Sequence, residues 1–466
     1  MKTNYIKISL KPGKESTLRR FHPWVFSGAI AGMSNATNGA SKIENENIKE
    51  GKESSKQKKD SFSPKAISSI QEGDKVEVYS SVGDFLGVGH AQIGGISVRI
   101  LSFEPILINE SFYANKIEKA YHLRQTLGLI RNDNTIFRLI YGEGDGLSGL
   151  IVDVYGSTAV MQAHSPGMHL DREIIASALI KVCGKDLQNV YYKSKSTLSS
   201  QTGLNPTDEY LIKDRKIVET KENLSIPDSK FAPNSKFAPT KNSSPLGDSL
   251  VEEDTEIAWE NGLKVYPNWI HGQKTGFFID QRDNRALVEK YAKGKNVLNM
   301  FCYTGGFSLY ALRGGANKVH SVDSSSNAMA LTDANVSLNF GKQDRHQSFT
   351  QEAFAFLDKA ESDYNLIILD PPAFAKSQRV LNQALQGYRN LNARAIEKIQ
   401  PGGILFTFSC SQAVSREQFR LTIFSAAAQA KRKLRILHQL SQGADHPINI
   451  YHPEGEYLKG LVLYVE

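Results

Sequence analysis

From about Pro267 onward the chain alternates strand and helix, which places it in the α/β class with a doubly wound, Rossmann-like sheet. Three observations predict this. The runs NVLNMF, KVHSVD, YNLIILD and GGILFTFSCS are strand-length, apolar and separated by helix-length segments. A glycine turn follows the first of them, at Thr304, Gly305 and Gly306. Acids close the second and third runs, at Asp323 and Asp370, on the carboxyl edge where open α/β sheets bind ligands. A small β-barrel and a central α+β block precede this domain, with expected divisions at 1–105, 106–266 and 267–466.

The elements support that division in order. Ile6 to Leu10 alternates apolar with polar residues, as a half-buried strand does. The basic segment GKESTLRRFHPWVFSG follows, and GDKVEVYSSVGDFLGVGHAQIGGISVRILSF then shows short alternating runs punctuated by Gly, which together predict a small barrel. The central block opens with a helix over Glu110–Leu127. It continues through FRLIYGEGDGLSGLIVDVYG and TAVMQAH as strands with glycine turns, and closes with a helix over Arg172–Val182 and a strand at NVYYKS. Two inserts interrupt the pattern. Residues 35–69 are rich in Ser, Lys, Asn and Glu, with Phe62 their one aromatic, and are expected to stay disordered on the surface. Residues from about 207 to 253 contain the repeat SKFAPNSKFAP and read as a solvated loop or linker.

The chain of 466 residues carries a formal charge of +7, which favours an anionic partner, nucleic acid or membrane. No run of about 18 apolar residues occurs, so a membrane helix is not expected. The start MKTNYIKISLKPGKE lacks an apolar h-region, so a cytoplasmic protein is expected. The three cysteines, Cys183, Cys302 and Cys410, form no CxxC or Cys/His cluster, which argues against a disulfide scaffold and a structural metal.

Residues 296–326 carry the first chemical signal. A strand runs into the Gly305–Gly306 turn and a helix, and Asp323 follows at the distance of an acid that accepts from ribose hydroxyls. A plain βαβ unit with a capping Asp is the alternative. The adjacent glycines, with no third Gly, depart from the dinucleotide fingerprint and suit a cofactor without phosphates, such as S-adenosylmethionine. In YNLIILDPPAFAKS a buried strand delivers Asp370 to the same edge, and Pro371 and Pro372 fix an extended exit. GGILFTFSCSQ brings Cys410 to that edge as either a packed cysteine or a nucleophile, and its position beside Asp370 favours the nucleophile. Cys183 and Cys302 read as packing.

The strings HGQKTGFFIDQRDNR, VLNMFCYTGGFS, DPPAF and TFSCS, in this order, resemble the bacterial large-subunit ribosomal-RNA cytosine-5 methyltransferase family. RRFHPWVFSGAI resembles that family's PUA domain, EGDGLSGLIVDVYG its central domain, and ADHP and EGEYLKG its C-terminal segments. The resemblance covers nearly the whole chain outside the inserts. It implies a class I methyltransferase domain behind a PUA-like barrel, with S-adenosylmethionine as cofactor. By position it implies Gly305 and Asn299 at the cofactor, Asp323 on its ribose and the segment from Gln281 and Arg282 to Arg285 at its methionine end. Glu352 stands where the family often has an Asp on adenine. Asp370 would line the junction of cofactor and base, Phe374 would lie near the base, and Cys410 would add to C6 of cytosine. No residue is named as the base that removes the C5 proton, since Pro372 occupies the place of a second cysteine found in some RNA cytosine methyltransferases.

The expected partner is large-subunit rRNA or an assembling ribosomal particle, with the oligomeric state open between monomer and homodimer. Residues 1–30 hold six Lys or Arg against one acid, with Trp24 and two Phe interleaved. Arg19 and Arg20 are the candidates for the RNA backbone, while Trp24 by itself reads as core. The competing readings are methylation of a guanine nitrogen, which needs no thiol, a non-catalytic assembly factor, and an NAD-dependent dehydrogenase, which lacks a third glycine here.

Overall fold

A computed structural model describes residues 4–34, 70–198, 202–218, 256–375 and 377–466. The first insert and residues 219–253 of the second lie outside this set. Among the described residues no helix is long and apolar enough to cross a membrane.

The N-terminal sheet has six strands in the order Trp24–Phe26, Ile96–Ser102, Phe85–Ala91, Lys75–Tyr79, Ile6–Leu10, Ile30–Ser34. Its alternating residues Ile8, Leu10, Val76, Val78, Val98 and Ile100 form its core. The barrel is tied to the next domain through Asp171, which accepts from Tyr113 Oη at 2.6 Å and lies 3.1 Å from Lys75 and 3.2 Å from His90.

The central sheet runs Lys216–Ile217, Asp208–Lys213, Asn189–Lys193, Thr158–Ala163, Leu150–Tyr155, Ile136–Tyr141. Its first two strands lie where composition predicted loop. Low-complexity sequence follows DEYLIK closely, yet Leu211 and Ile212 are buried and Tyr210 packs on Tyr191 with ring centroids 4.9 Å apart. Helices Glu110–Thr126 and Arg172–Cys183 cover one face with Phe112, Ile117, Ile175 and Leu179. The other face presents Tyr155, Val160 and Tyr191 to Trp269 and Phe277 of the C-terminal domain. Burial on both faces explains why TAVMQA is inaccessible along its whole length.

In the C-terminal domain we number the strands β1 (Asn296–Met300), β2 (Lys318–Asp323), β3 (His346–Thr350), β4 (Leu366–Leu369), β5 (Gly403–Ser409), β6 (Leu434–Leu440) and β7 (Lys459–Val465). The helices are α1 (Arg282–Ala292), α2 (Gly306–Arg313), α3 (Ser326–Phe340), α4 (Ala353–Lys359), α5 (Leu381–Lys398) and α6 (Arg416–Gln429). The sheet order is β3-β2-β1-β4-β5-β7-β6. Strands β1 to β5 are parallel, as the alternation predicted, while β7 inserts antiparallel between β5 and β6. The order reverses between β1 and β4, the place where such sheets open a crevice.

The central and C-terminal domains meet with almost no space between them. A Cβ on Gly144 would lie 1.9 Å from the Pro447 carbonyl oxygen. Beside it Arg124 forks onto Asp145 at 2.5 and 2.8 Å and donates to the Asp445 carbonyl at 2.8 Å.

Candidate active site

Strand β1 ends at Met300, one residue earlier than its apolar run, because Phe301 turns into the left-handed region with φ 58°. Tyr303 and Gly305 follow at φ 49° and 79°. Two bulky residues in this region store strain, which clusters at functional sites. Gly305 is required twice over, since a Cβ there would also meet Thr332 Cγ2 at 2.6 Å. Thr332 Oγ1 donates to the Tyr303 carbonyl at 2.9 Å and Asn335 Nδ2 to the Thr304 carbonyl at 3.0 Å, so α3 holds the turn.

Asp323, at the end of β2, accepts from the Tyr303 N–H through Oδ2 and from the Ser325 N–H through Oδ1, both at 3.0 Å. Each oxygen keeps a lone pair for a further donor. Glu352, beyond β3, is exposed and caps α4 by accepting from the Phe354 N–H at 2.9 Å. Asn299 lies beneath the turn, donating to Ser308 Oγ at 2.9 Å, with its own Oδ1 buried and unpartnered.

Asp370 follows β4 and Cys410 follows the neighbouring β5. The Cys410 thiol lies 3.9 Å from the Pro371 carbonyl oxygen. Burial, and then the neighbouring Asp280, pushes the Asp370 carboxyl up to about 7, while Gln281 hydrogen-bonds to it and Arg285 pulls the other way. Burial, then Asp370 and Asp280, pushes the Cys410 thiol up to about 12. Burial first, and then the two neighbouring acids, therefore favour the thiol over the thiolate at Cys410. Cys183 and Cys302 are buried, in keeping with packing. The exit after Asp370 is anchored by the Ala375 N–H donating to Ser411 Oγ at 3.2 Å. Phe374 packs on Tyr388 with ring centroids 4.5 Å apart.

The fold thus gathers Gly305, Asp323, Glu352, Asp370 and Cys410 on one sheet edge, with Gln281 reaching Asp370 from the start of α1. Arg282 is directed elsewhere, buried 2.8 Å from Asp445. Arg19 is paired with Asp84 at 2.5 Å and Arg20 donates to the Ser16 carbonyl, both on the barrel surface. Trp24 is a packing residue, donating to Glu143 at 2.9 Å between Arg99 and His452.

Three further groups at the site were not singled out by the sequence. Asp280 accepts from Tyr457 Oη at 2.5 Å and has its Oδ1 buried without a partner. Lys459 on β7 is buried, donates to the Ser411 carbonyl at 2.7 Å and is lowered to about 8 by burial. Tyr303 receives the Gln273 N–H at 3.1 Å, which closes the loop before α1 over the turn. Asp280 and Lys459 both stand inside family-like strings, but proximity across 177 residues, as between Asp280 and Tyr457, has no local signature.

A family description of S-adenosylmethionine-dependent methyltransferases matches residues 236–448, and one of PUA-like domains matches residues 8–43. The ribosomal RNA large subunit methyltransferase I of Pseudoalteromonas atlantica is 34% identical over 98% of this chain and 99% of its own length. That of Shewanella denitrificans is 33% identical over 99% of both. The chain belongs to the large-subunit ribosomal RNA methyltransferase I family. Two solved structures share its fold at 20% identity, each covering 98% of this chain and 99% of its own. One is a presumptive S-adenosylmethionine-dependent methyltransferase from Streptococcus mutans at TM-score 0.70, the other a presumptive methyltransferase complexed with S-adenosylhomocysteine at 0.71.

The cofactor of this methyltransferase family is S-adenosylmethionine, and the crevice fits it. The Gly305 turn stands at the carboxyl edge of the sheet, and each Asp323 oxygen keeps a lone pair that a sugar hydroxyl would satisfy. Arg285, the cation nearest the turn, is committed to Glu260 at 2.6 and 2.8 Å instead of waiting for a phosphate.

Proposed function

We propose that this protein methylates C5 of a cytosine in large-subunit rRNA, in the cytoplasm, with Cys410 as the nucleophile. The observation that carries the reading is the pairing of Cys410 with Asp370 at the ends of adjacent strands, backed by a second acid, Asp280. Methylation of an amino nitrogen needs no thiol beside its acid.

Gly305 and Asp323 would hold the adenosine, with Glu352 at the adenine side and Gln281 near the methionine. When bound, the cofactor supplies an electrophilic methyl sulfonium. Cytosine C5 is a weak nucleophile, and addition of sulfur at C6 makes it enamine-like. A thiol near 12 must lose its proton as it adds. Asp370 near 7 is placed to take that proton and deliver it to N3, so the charge that builds on the ring is neutralised as it forms. Asp280 keeps Asp370 basic enough for the relay, and Tyr457 holds Asp280 in place. After C5 is methylated its proton leaves to a base, the C5–C6 double bond re-forms as sulfur departs, and the N3 proton returns through Asp370 to the thiolate. Asp280, with a free buried oxygen, is placed to take that proton, and Lys459, lowered to about 8, takes it only in its neutral amine form. The base must be unstacked to reach this edge, so an unpaired stretch of rRNA is the expected target.

The test is methyl transfer from labelled S-adenosylmethionine to unmodified bacterial large-subunit rRNA, by the native chain and by Cys410→Ala, with the labelled nucleoside identified by mass spectrometry. Label in 5-methylcytosine that vanishes with Cys410→Ala is expected. Label on guanine, or transfer that survives the substitution, would overturn the thiol mechanism.

A further inference from the structure

A cavity of about 890 Å³ opens where the barrel, the central domain and the C-terminal domain meet. We propose that it binds unpaired nucleotides of the RNA substrate, bases on Phe21 and Tyr451 and phosphates on Lys116 and Lys119, as an anchor separate from the methyl-transfer edge. The proposal rests on the reading that the substrate is RNA.

Phe21 is the first reason. It sits in the left-handed region at φ 63°, a strained backbone for a bulky residue, and the residue is 47% exposed at the cavity wall. The left-handed turn closes the short helix over Leu18–Arg20, with the Phe21 N–H donating to the Leu18 carbonyl at 2.8 Å, yet it needs no aromatic ring to do so. It points the ring edge-on to Phe103 at 5.3 Å and beside Tyr451, itself 50% exposed, at 5.4 Å. Two open aromatic faces over a hollow suit flat, sequence-tolerant stacking partners.

Charge is the second. Lys116 and Lys119 line the same cavity, and neither has a carboxylate within ion-pair distance among the described residues. Burial and then the like charge of Lys119 lower the Lys116 ammonium, so an arriving anion relieves both. Of the two lining acids, Glu143 is already satisfied by Arg99, Trp24 and Ser148, and Glu104 is the one that faces Lys116. Unpaired lysines beside two half-exposed rings in a largely apolar hollow match a phosphate next to a stacked base.

Continuity with the reaction edge is the third. Gln412, two residues beyond Cys410, reaches the Glu454 carbonyl at 3.5 Å. Glu454 lies 3.6 Å from His22 and 3.7 Å from His452, beside the Phe21 and Tyr451 wall. A strand anchored in the cavity has a short path to Cys410.

The test uses the full chain and a fluorescein-labelled single-stranded RNA hexamer, read by anisotropy across a salt series. Phe21→Gly relieves the left-handed strain, so folding is preserved while the ring is removed. Phe21→Gly and Tyr451→Ala should each weaken the hexamer by about tenfold. Lys116→Gln with Lys119→Gln should lower the salt slope by about 0.7 for each phosphate no longer neutralised. Affinity for S-adenosylhomocysteine, measured by calorimetry, should be unchanged throughout. Native chain that does not bind the hexamer, or variants that bind it within twofold of native, would overturn the proposal. So would a defect seen only on protein-containing ribosomal particles, which would give the cavity to a ribosomal protein. None of these readings depends on which nucleoside is methylated, so the cytosine assignment stands or falls separately.

Discussion

Arg282 and Asp445 face each other at 2.8 Å in a joint sealed from solvent, and the same carboxylate accepts from the Arg138 N–H of the central domain at 3.0 Å. Burial alone would raise this carboxyl. His446, Arg282 and the Arg138 N–H overcome that and hold it well below the usual carboxylate range. Asp445→Asn leaves the Arg282 guanidinium buried without its nearest counter-charge, the exposed Asp283 being 3.8 Å away, and should destabilise the protein by about 3–5 kcal/mol in urea denaturation. Replacing both partners with apolar residues should cost less than the single change. Because the folded group ionises more readily than the unfolded one, its contribution is full above about pH 4 and declines as pH falls further. Equal midpoints for native and Asp445→Asn chains at pH 7 would refute this account.

Ionisation of Asp370 should shape the pH dependence of methyl transfer. If it relays the thiol proton, kcat/KM rises with pH through about 7. Asp280→Asn removes the like charge that raises Asp370, so the rising limb should move to lower pH even as the plateau falls. A limb that stays in place would remove Asp280 from the relay.

Gly305→Ala combines a disfavoured φ of 79° with a methyl 2.6 Å from Thr332 Cγ2. A loss of about 1–3 kcal/mol of stability is expected. Affinity for S-adenosylhomocysteine should fall about tenfold or more, equivalent to about 1.4 kcal/mol. Adding Thr332→Ser, which deletes Cγ2 and keeps the hydroxyl, should restore part of both. Unchanged affinity by calorimetry would place the cofactor away from this turn.

Alkylation reports the state of Cys410. With the thiol pushed up to about 12, iodoacetamide at pH 7.5 should label it at least about tenfold more slowly than free cysteine. Asp370→Asn should accelerate labelling, with the buried Cys183 and Cys302 as internal controls in the same mass spectrum. Rapid labelling of the native chain would reveal a standing thiolate and dispense with the relay.

The parallel strands and their edge were legible because each element announces itself locally, through an apolar run of strand length and an acid or glycine after it. The chain order then determines which ends lie together, and so Asp323, Asp370 and Cys410 could be placed from sequence. What escaped depends on distant partners. The strand DEYLIK is short, and its ladder with Asn189–Lys193 had no local mark. Lys459 meets Ser411 across 48 residues only because β7 enters the sheet antiparallel. The upward push on Cys410 was also hidden, since it comes first from burial, then from Asp370, and then from Asp280, which the sequence places before α1 with no local mark of its nearness.

Backbone meets backbone where Gly144 abuts Pro447, with no side chain between them to yield. The segment that starts there carries Tyr451 at the cavity and Tyr457 at the acids, so one short stretch of chain joins both places. With a nucleotide gripped in the cavity as proposed, the spacing from it to the methylated one would be set by this single segment.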